Sequence, residues 1–428
     1  MSSITSDVQH PVAKGWMYVP YCLPMAIAFL GAYMVFFNSS VVAWSLVALL
    51  LLLNVAEPLF GEEEETYQWQ NEGIFVGMMY LYCFGAFLCF LGFLWVMGHA
   101  HTGGDLLNIA AITQAVTGFD MMAAHADNGI IDYIVATIMF SITASLGTVS
   151  IGHELAHRTH EPLSVGIARF MGVLNLFSYY AVEHPYGHHL TAGTPYDSST
   201  ALRGESILQF SKRTFKQDYE IAWEIEEKRL KKLGLPVWSH HNRLLRGYAA
   251  EALVVLLVAA VGGFLGLFFF ALGVIQSHYG YKAGVYGQHY GIVRVPGTPL
   301  KIHHQWGCTN RVTNWVVDGI GRHADHHLVP EREFWNLLPY AEGPQYPAGY
   351  MKTMALARSM KKWNQVMVPK LIEWDEKYAS PEEKVLAMEA NEKSGIPELI
   401  EHAKKQRQEL EEAGLIEPLT LAGEPMQA

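Results

Sequence analysis

Nine of the twenty histidines in this chain fall into short groups: His153 and His157; His184, His188 and His189; His289; and His323, His326 and His327. Helical residues three or four apart share a face, so His153-Glu154-Leu155-Ala156-His157 presents two imidazoles side by side. The same spacing pairs His184 with His188, and His323 with His326 and His327. Neutral imidazole binds zinc, copper, iron and nickel, and nine such ligands are too many for one ion when tetrahedral zinc takes about four. The pattern predicts a site for two metal ions.

The elements that must position these residues are apolar. Half of the 428 residues are hydrophobic, and the runs 19–37, 41–60, 74–97 and 130–151 are each long enough, at about 1.5 Å per residue, to cross a hydrocarbon core of roughly 30 Å. The predicted fold is therefore all-α, that of a polytopic integral membrane protein. The first run is expected to remain as an anchor, because it has full spanning length and no small-residue cleavage pattern follows it. A formal charge of −11 argues against nucleic acid as a partner. The stretch 99–128 contains no Lys or Arg, which suits an outward loop, whereas the basic residues gather in 203–246 and the C-terminal third, which the positive-inside tendency places in the cytoplasm. The acidic run at 62–65 reads as a solvated loop.

All the histidine groups must lie on one side of the membrane to share ions. The segment 165–182 between the first two groups is therefore expected to be a buried or re-entrant helix. The run 248–276 must also return, and Gly262-Gly263 divides it into helices of about 249–261 and 264–281 that would form a hairpin. That gives six spanning helices, with both termini and the histidine site on the cytoplasmic face of the inner (plasma) membrane. Residues 1–375 form the membrane unit and 376–428 a soluble, charged helical tail, with helical spacing in 381–390 and 397–413 and Pro418 and Pro425 closing it. The tail is assigned no chemistry.

Taken alone, His153-Glu154-Leu155-Ala156-His157 also fits a zinc metalloprotease, in which the glutamate acts as general base. The seven further histidines at ligand spacing have no place in that reading. With all the boxes considered, the chain resembles the membrane-bound alkane monooxygenases, a branch of the histidine-rich membrane desaturase and hydroxylase superfamily, from the first span to about Tyr350. The family box HExxHK stands here as His153-Glu154-Leu155-Ala156-His157-Arg158. The box EHxxGHH stands intact as Glu183-His184-Pro185-Tyr186-Gly187-His188-His189, with Thr194-Pro195 and Gly204-Glu205-Ser206 echoing a downstream stretch. The third box, RHSDHH, is Arg322-His323-Ala324-Asp325-His326-His327, with Trp306 and Thr313-Asn314 at the family spacing. The motif NYxEHYG is altered to Val285-Tyr286-Gly287-Gln288-His289-Tyr290-Gly291, and Ile320-Gly321 replaces the usual Leu-Gln.

The resemblance implies a non-haem di-iron enzyme that uses dioxygen to hydroxylate an unactivated C–H bond, typically the terminal methyl of a medium-chain alkane. It implies the nine histidines as iron ligands. Glu154, Glu183 and Asp325, each beside a ligand, are the carboxylates expected to take the second ring N–H of an imidazole. Gln288 would leave the centre one negative charge poorer than in relatives. Electrons must come from outside, because the chain has no GxGxxG and its four cysteines, Cys22, Cys83, Cys89 and Cys308, form no CxxC pair. In the resembled family the donor is a rubredoxin, reduced by an NAD(P)H-dependent reductase. Arg203, Lys212, Arg213, Lys228, Arg229, Lys231 and Lys232 form a candidate basic face for that acidic partner.

Of the remaining histidines, His303 and His304 lie near the third box, His240 and His241 in a polar connection, and His99, His101 and His125 on the outward side. Three other functions stay open: hydroxylation of an aryl methyl group, as in xylene monooxygenases; desaturation or hydroxylation of an acyl lipid; and metal binding without turnover.

Overall fold

The computed structural model describes residues 10–417, and among them no β-strand forms, only isolated bridges such as Glu62 with Asn310. The expected all-α membrane architecture is present. Gly15–Phe37, Gly73–Thr102, Ile130–His157 and Arg243–Gln288 are long and apolar enough to cross a membrane, and Ser40–Phe60 is a further apolar helix. Local chemistry sets their ends. Asn38 in the left-handed region stops the first helix, Ser39 caps the second by accepting the Val42 N–H, and Gly103 at φ +68° ends the third.

Between the helices, small residues let backbones approach as they do in lipid, where no water drives association. A Cβ on Gly92 would lie 2.9 Å from Val35, and one on Gly85 would lie 3.0 Å from Ala28. Aromatic rings fill the centre: Phe93 and Phe270 both stack on Phe140, at 5.4 Å each.

The 46-residue helix Arg243–Gln288 is folded in two at Gly263, whose φ of +58° favours glycine. Gly262 packs against Met97 and Gly263 against His101 at the far end of the third helix. At its other end, Arg243 bonds Glu226, and Gln288 leads straight into His289. The chain thus goes out and back, as the glycine pair suggested. The first arm starts earlier than the apolar run implied, at Arg243, where Asn242 caps Leu244 and Leu245. Those extra residues bring the arm to about 30 Å. The segment expected to be buried or re-entrant forms Pro162–Leu174, thirteen residues and about 20 Å, too short to cross.

On the histidine side lie three further helices, Met360–Lys377, Pro381–Glu392 and Pro397–Glu412; a buried cation ties down the first two, and Asn391 bonds Gln406 of the third. Arg203 forks onto Asp375 at 2.7 and 2.8 Å, bonds Asn391 at 2.7 Å, and donates to the Gly291 carbonyl at 2.9 Å. Pro418 and Pro425 lie outside the described residues. This clamp removes Arg203 from the basic face predicted above, because its guanidinium is buried among its partners. Arg213 is likewise engaged by Glu205, and Arg229 by Glu226. Lys228 and Lys231 are paired with Glu224 and Glu227 one turn away. The Arg203 pair, with a partner 172 residues away, cannot be read from a local count of charges; the others are made within their own helix or to its start.

Burial alone would raise the Asp375 carboxyl, but Arg203 and then His402 and Asn391 hold it at about 2. This is below the roughly 3.9 of an unfolded aspartate, so the clamp stabilises fully above that value and is lost as pH falls towards 2. Arg203→Met is expected to cost about 3 kcal/mol at neutral pH by stranding a buried carboxylate, and to flatten the loss of stability below about pH 4. Thermal unfolding of wild type and variant across pH checks both; an unchanged melting temperature would refute the clamp.

Candidate metal centre

The membrane helix that begins at Ile130 is interrupted at Ser150 and continues as Ile151–His157. The break depends on Gly152, since any Cβ there would collide with the Gly147 carbonyl. His153, Glu154 and Leu155 are buried by it. The second box forms a π-turn, His184–His188, between Tyr180–Glu183 and His189–Thr191. Such widened turns recur at functional sites. The third box is a short helix, His323–Leu328, entered through Gly319 at φ +66°. Arg322 pins it by donating to the carbonyls of Leu337 and Glu63 at 2.7 and 2.9 Å. His289 ends the returning arm of the glycine hairpin.

These elements bring all nine histidines together, in two groups. His153, His157, His184, His189 and His326 form one; His188, His289, His323 and His327 form the other. Within each, the ligand nitrogens all lie within 4.8 Å of one another. His184 and His188 lie side by side, with ring centroids 5.2 Å apart. The π-turn sends them to different groups and joins His184 to His189, Nε2 to Nε2 at 3.0 Å. The third box is divided too, with His323 and His327 at 2.9 Å in one group and His326 3.2 Å from His189 in the other.

These spacings suit metal. Two nitrogens bound at about 2.1 Å to one ion, at right angles, are separated by about 3.0 Å. Burial first, and then the neighbouring imidazoles, lower the proton affinity of His184, His189, His323, His326 and His327. His289 is pushed down to about 3, mainly by burial and His188. Those rings are held in the neutral form that ligates metal, with their ring nitrogens gathered within 4.8 Å of one another in each group.

The adjacent carboxylates do other work. Glu154 accepts the Phe334 backbone N–H at 2.8 Å. Glu183 accepts from Ser198 at 3.3 Å. Asp325 holds Arg332, the Leu338 N–H and the Tyr340 hydroxyl. Gln288 gives its backbone oxygen to the Trp306 N–H, and its side-chain nitrogen has no partner. Asp197, which the sequence reading missed, touches a clustered imidazole: its Oδ1 lies 3.0 Å from His188 Nδ1, and Thr200 and the Ser199 N–H fix the carboxylate. Burial would raise Asp197, but His188 outweighs it and holds the carboxyl at about 2. The Thr194-Pro195 stretch that leads into it was the available signal.

His303 and His304 stand apart from both groups, each bonded to Glu383 of the tail at 3.1 and 2.6 Å. His240 and His241 stack on each other, exposed. His99 and His125 pack against Trp95 at the other end of the membrane helices, and His101 against Gly263.

A cavity of about 510 Å³ opens on both groups, touching His153 and His184 of one and His188 and His323 of the other. Its walls are mainly apolar, with Ile27, Ile142, Leu146, Val149, Val285 and Val316 among them.

Two metal ions per chain are expected by elemental analysis. Asp197→Asn, by releasing His188 from its fixed orientation, should weaken one of the two by about 10- to 100-fold. Unaltered affinity for both would remove Asp197 from the site.

The fatty acid desaturase family matches residues 128–356, a stretch that holds all nine histidines. Alkane 1-monooxygenase of Pseudomonas putida is 28% identical over 267 residues, covering 61% of this chain and 63% of that protein. Alkane 1-monooxygenase of Ectopseudomonas oleovorans is 30% identical, covering 55% and 61%. The match spans only about six-tenths of these relatives' length. The xylene/toluene monooxygenase hydroxylase component XylM of Pseudomonas putida is 30% identical over 305 residues, 68% of this chain and 81% of its own. The chain belongs to the fatty acid desaturase family, in the branch that holds the alkane and xylene monooxygenases.

Proposed function

We propose that this protein hydroxylates an unactivated C–H bond with dioxygen, most directly the terminal methyl of a medium-chain alkane, yielding a primary alcohol. The balance is RH + O2 + two electrons + two protons giving ROH and water. The observation that carries this reading is the apolar cavity that ends on both histidine groups. It would hold a hydrocarbon with one end against the metal-binding nitrogens.

Two irons, one in each histidine group, would supply dioxygen binding and the electron transfer that side chains cannot. All-imidazole pockets with ligand positions left open suit that task. The chain's own residues do the rest. Leu146, Val149, Val316 and Val317 exclude water from the reacting end. Asp197 fixes the tautomer and tilt of His188. Glu154 and Asp325, by holding the 332–340 loop, keep the first and third boxes in register. With Gln288 in place of a glutamate, no carboxylate from that motif offsets the charge of the metals.

Electrons would come from a rubredoxin-type donor and its NAD(P)H-dependent reductase, arriving on the side where the histidines, Arg243 and the tail helices lie. The distribution of Lys and Arg supports a cytoplasmic position for that side in the inner membrane, with both termini there. Six crossings follow when the folded helix Arg243–Gln288 is counted as two and Ser40–Phe60 as one.

A second reading has its own support. XylM matches over more of its length than the alkane enzymes do, so an aryl methyl group is the alternative substrate. The test is product analysis by mass spectrometry, with purified protein, a rubredoxin, its reductase, NADH, oxygen and a mixture of alkanes, alkylbenzenes and acyl chains, beside His326→Ala. A primary alcohol from an alkane, absent in the variant, is expected. A benzylic alcohol would favour the second reading, and an unsaturated acyl product would overturn both.

A further inference from the structure

A second cavity, of about 210 Å³, lies between Pro162–Leu174 and the start of Arg243–Gln288. Gly152 and Ala156 of the first box line it. So does Tyr180, which also lines the histidine cavity and stacks on His184 at 4.7 Å.

Charge sets this cavity apart. The apolar helices Gly15–Phe37, Ser40–Phe60, Gly73–Thr102, Ile130–His157, Pro162–Leu174 and Arg243–Gln288 carry four Lys or Arg residues between them: Arg169, Arg243, Arg246 and Lys282. Lys282 is buried and paired with Asp218. The other three all line this one cavity, and its wall contains no Asp or Glu.

Their protein partners leave these guanidiniums in excess. Arg243 shares Glu226 with Arg229. Arg246 donates to a backbone oxygen, that of His240, at 2.9 Å. Arg169 has no hydrogen bond or ion pair among the described residues. Glu251, the one carboxylate in the helix Arg243–Gln288, accepts the Ser178 N–H at 2.7 Å and lies outside the cavity wall.

Arg169 also stands deep. Phe170 beside it meets Phe87 at 5.8 Å, and Phe87 is fourteen residues, about 21 Å, along Gly73–Thr102. A guanidinium keeps its charge at any physiological pH, and an unpaired cation at membrane depth is costly. An anion relieves that cost. Two features say which anion. The cavity has the volume of about seven waters, room for a phosphodiester but not for hydrocarbon tails. Leu163 and Phe170 on one helix and Leu253, Leu256 and Leu257 on the other are 46 to 67% exposed, an apolar track on which acyl chains can lie. Arginine forks match phosphate oxygens, and basic pockets between membrane helices take anionic head groups.

We propose that this cavity binds the head-group phosphate of an anionic phospholipid through Arg169, Arg243 and Arg246, with the acyl chains on that track. Bound there, the head group rests against Gly152 and Tyr180 and steadies the first and second boxes. The inference is independent of the reaction that the metals run.

The test is native mass spectrometry of the metal-loaded full chain with phosphatidylglycerol and phosphatidylcholine of matched acyl chains. Wild type should retain one phosphatidylglycerol, preferred about tenfold or more over phosphatidylcholine. Arg169→Gln and Arg246→Gln should each cut the preference about fivefold, the worth of one basic residue against an anionic lipid. Arg169→Lys, which keeps the charge, should retain most of it. Lys232→Gln, at an exposed residue outside the cavity, should leave it unchanged. Equal retention of the two lipids in wild type, a preference that survives in the Arg169→Gln, Arg246→Gln double variant, or an equal loss in Lys232→Gln would overturn the proposal. Displacement of phosphatidylglycerol by millimolar inorganic phosphate would reassign the cavity to a free anion and overturn the lipid. Phosphatidylglycerol should also raise the melting temperature of wild type but not of the double variant; no rise in wild type would overturn the steadying role.

Discussion

The structure depends on forcing nine imidazoles into a space from which water is removed. Each buried donor or acceptor left unmatched costs about 1–3 kcal/mol, and here nitrogens face nitrogens at 2.9 to 3.2 Å while the outer Nδ1 atoms of His184, His189, His323 and His327 have no partner. The protein alone does not settle that account. Metal binding would satisfy the inward Nε2 atoms, which makes the affinity of the site part of the free energy of folding around it. The devices that create the crowding are specific: the Ser150 break with Gly152, the π-turn through the second box, and the Gly263 reversal that returns His289 to the other histidines.

Around that core, the buried carboxylates hold backbone. Glu154 and Asp325 bind the same loop from opposite ends, and Glu383 of the tail secures the His303–His304 corner beside the strand of chain that follows His289. Arg203 joins the Gly291 carbonyl to Asp375 and Asn391. The tail helices are thus coupled to the segments that carry His289 and Asp197, and their charge is spent partly on positioning. The membrane helices contribute the complementary part, a hydrocarbon-lined cavity with one end closed by the imidazoles.

Much of this was legible in the residues. Histidine spacing identified every member of the two groups, because metal ligation demands a residue type that is otherwise rare in apolar surroundings. Gly262-Gly263 foretold the hairpin, since no other residue pair in that run could reverse a helix. What was not legible followed from three-dimensional detail. Spacing placed His184 and His188 on one face but did not say which histidines would gather in which group, and the π-turn sends these two to different ones. Adjacency suggested Glu154, Glu183 and Asp325 as partners of imidazoles, but consecutive helical residues point in different directions, and Asp197 reached His188 from a loop nine residues on. The basic face lost Arg203 to a partner 172 residues away.

The most direct test of this account is X-ray absorption at the metal edge of the purified, iron-loaded protein. Two irons per chain with a first shell of nitrogen at about 2.1 Å from the protein, no sulfur, and no carboxylate bridge are the predicted result. A single iron per chain, or a bridging carboxylate between two, would contradict the division of nine imidazoles into two nitrogen-only pockets on which the account rests.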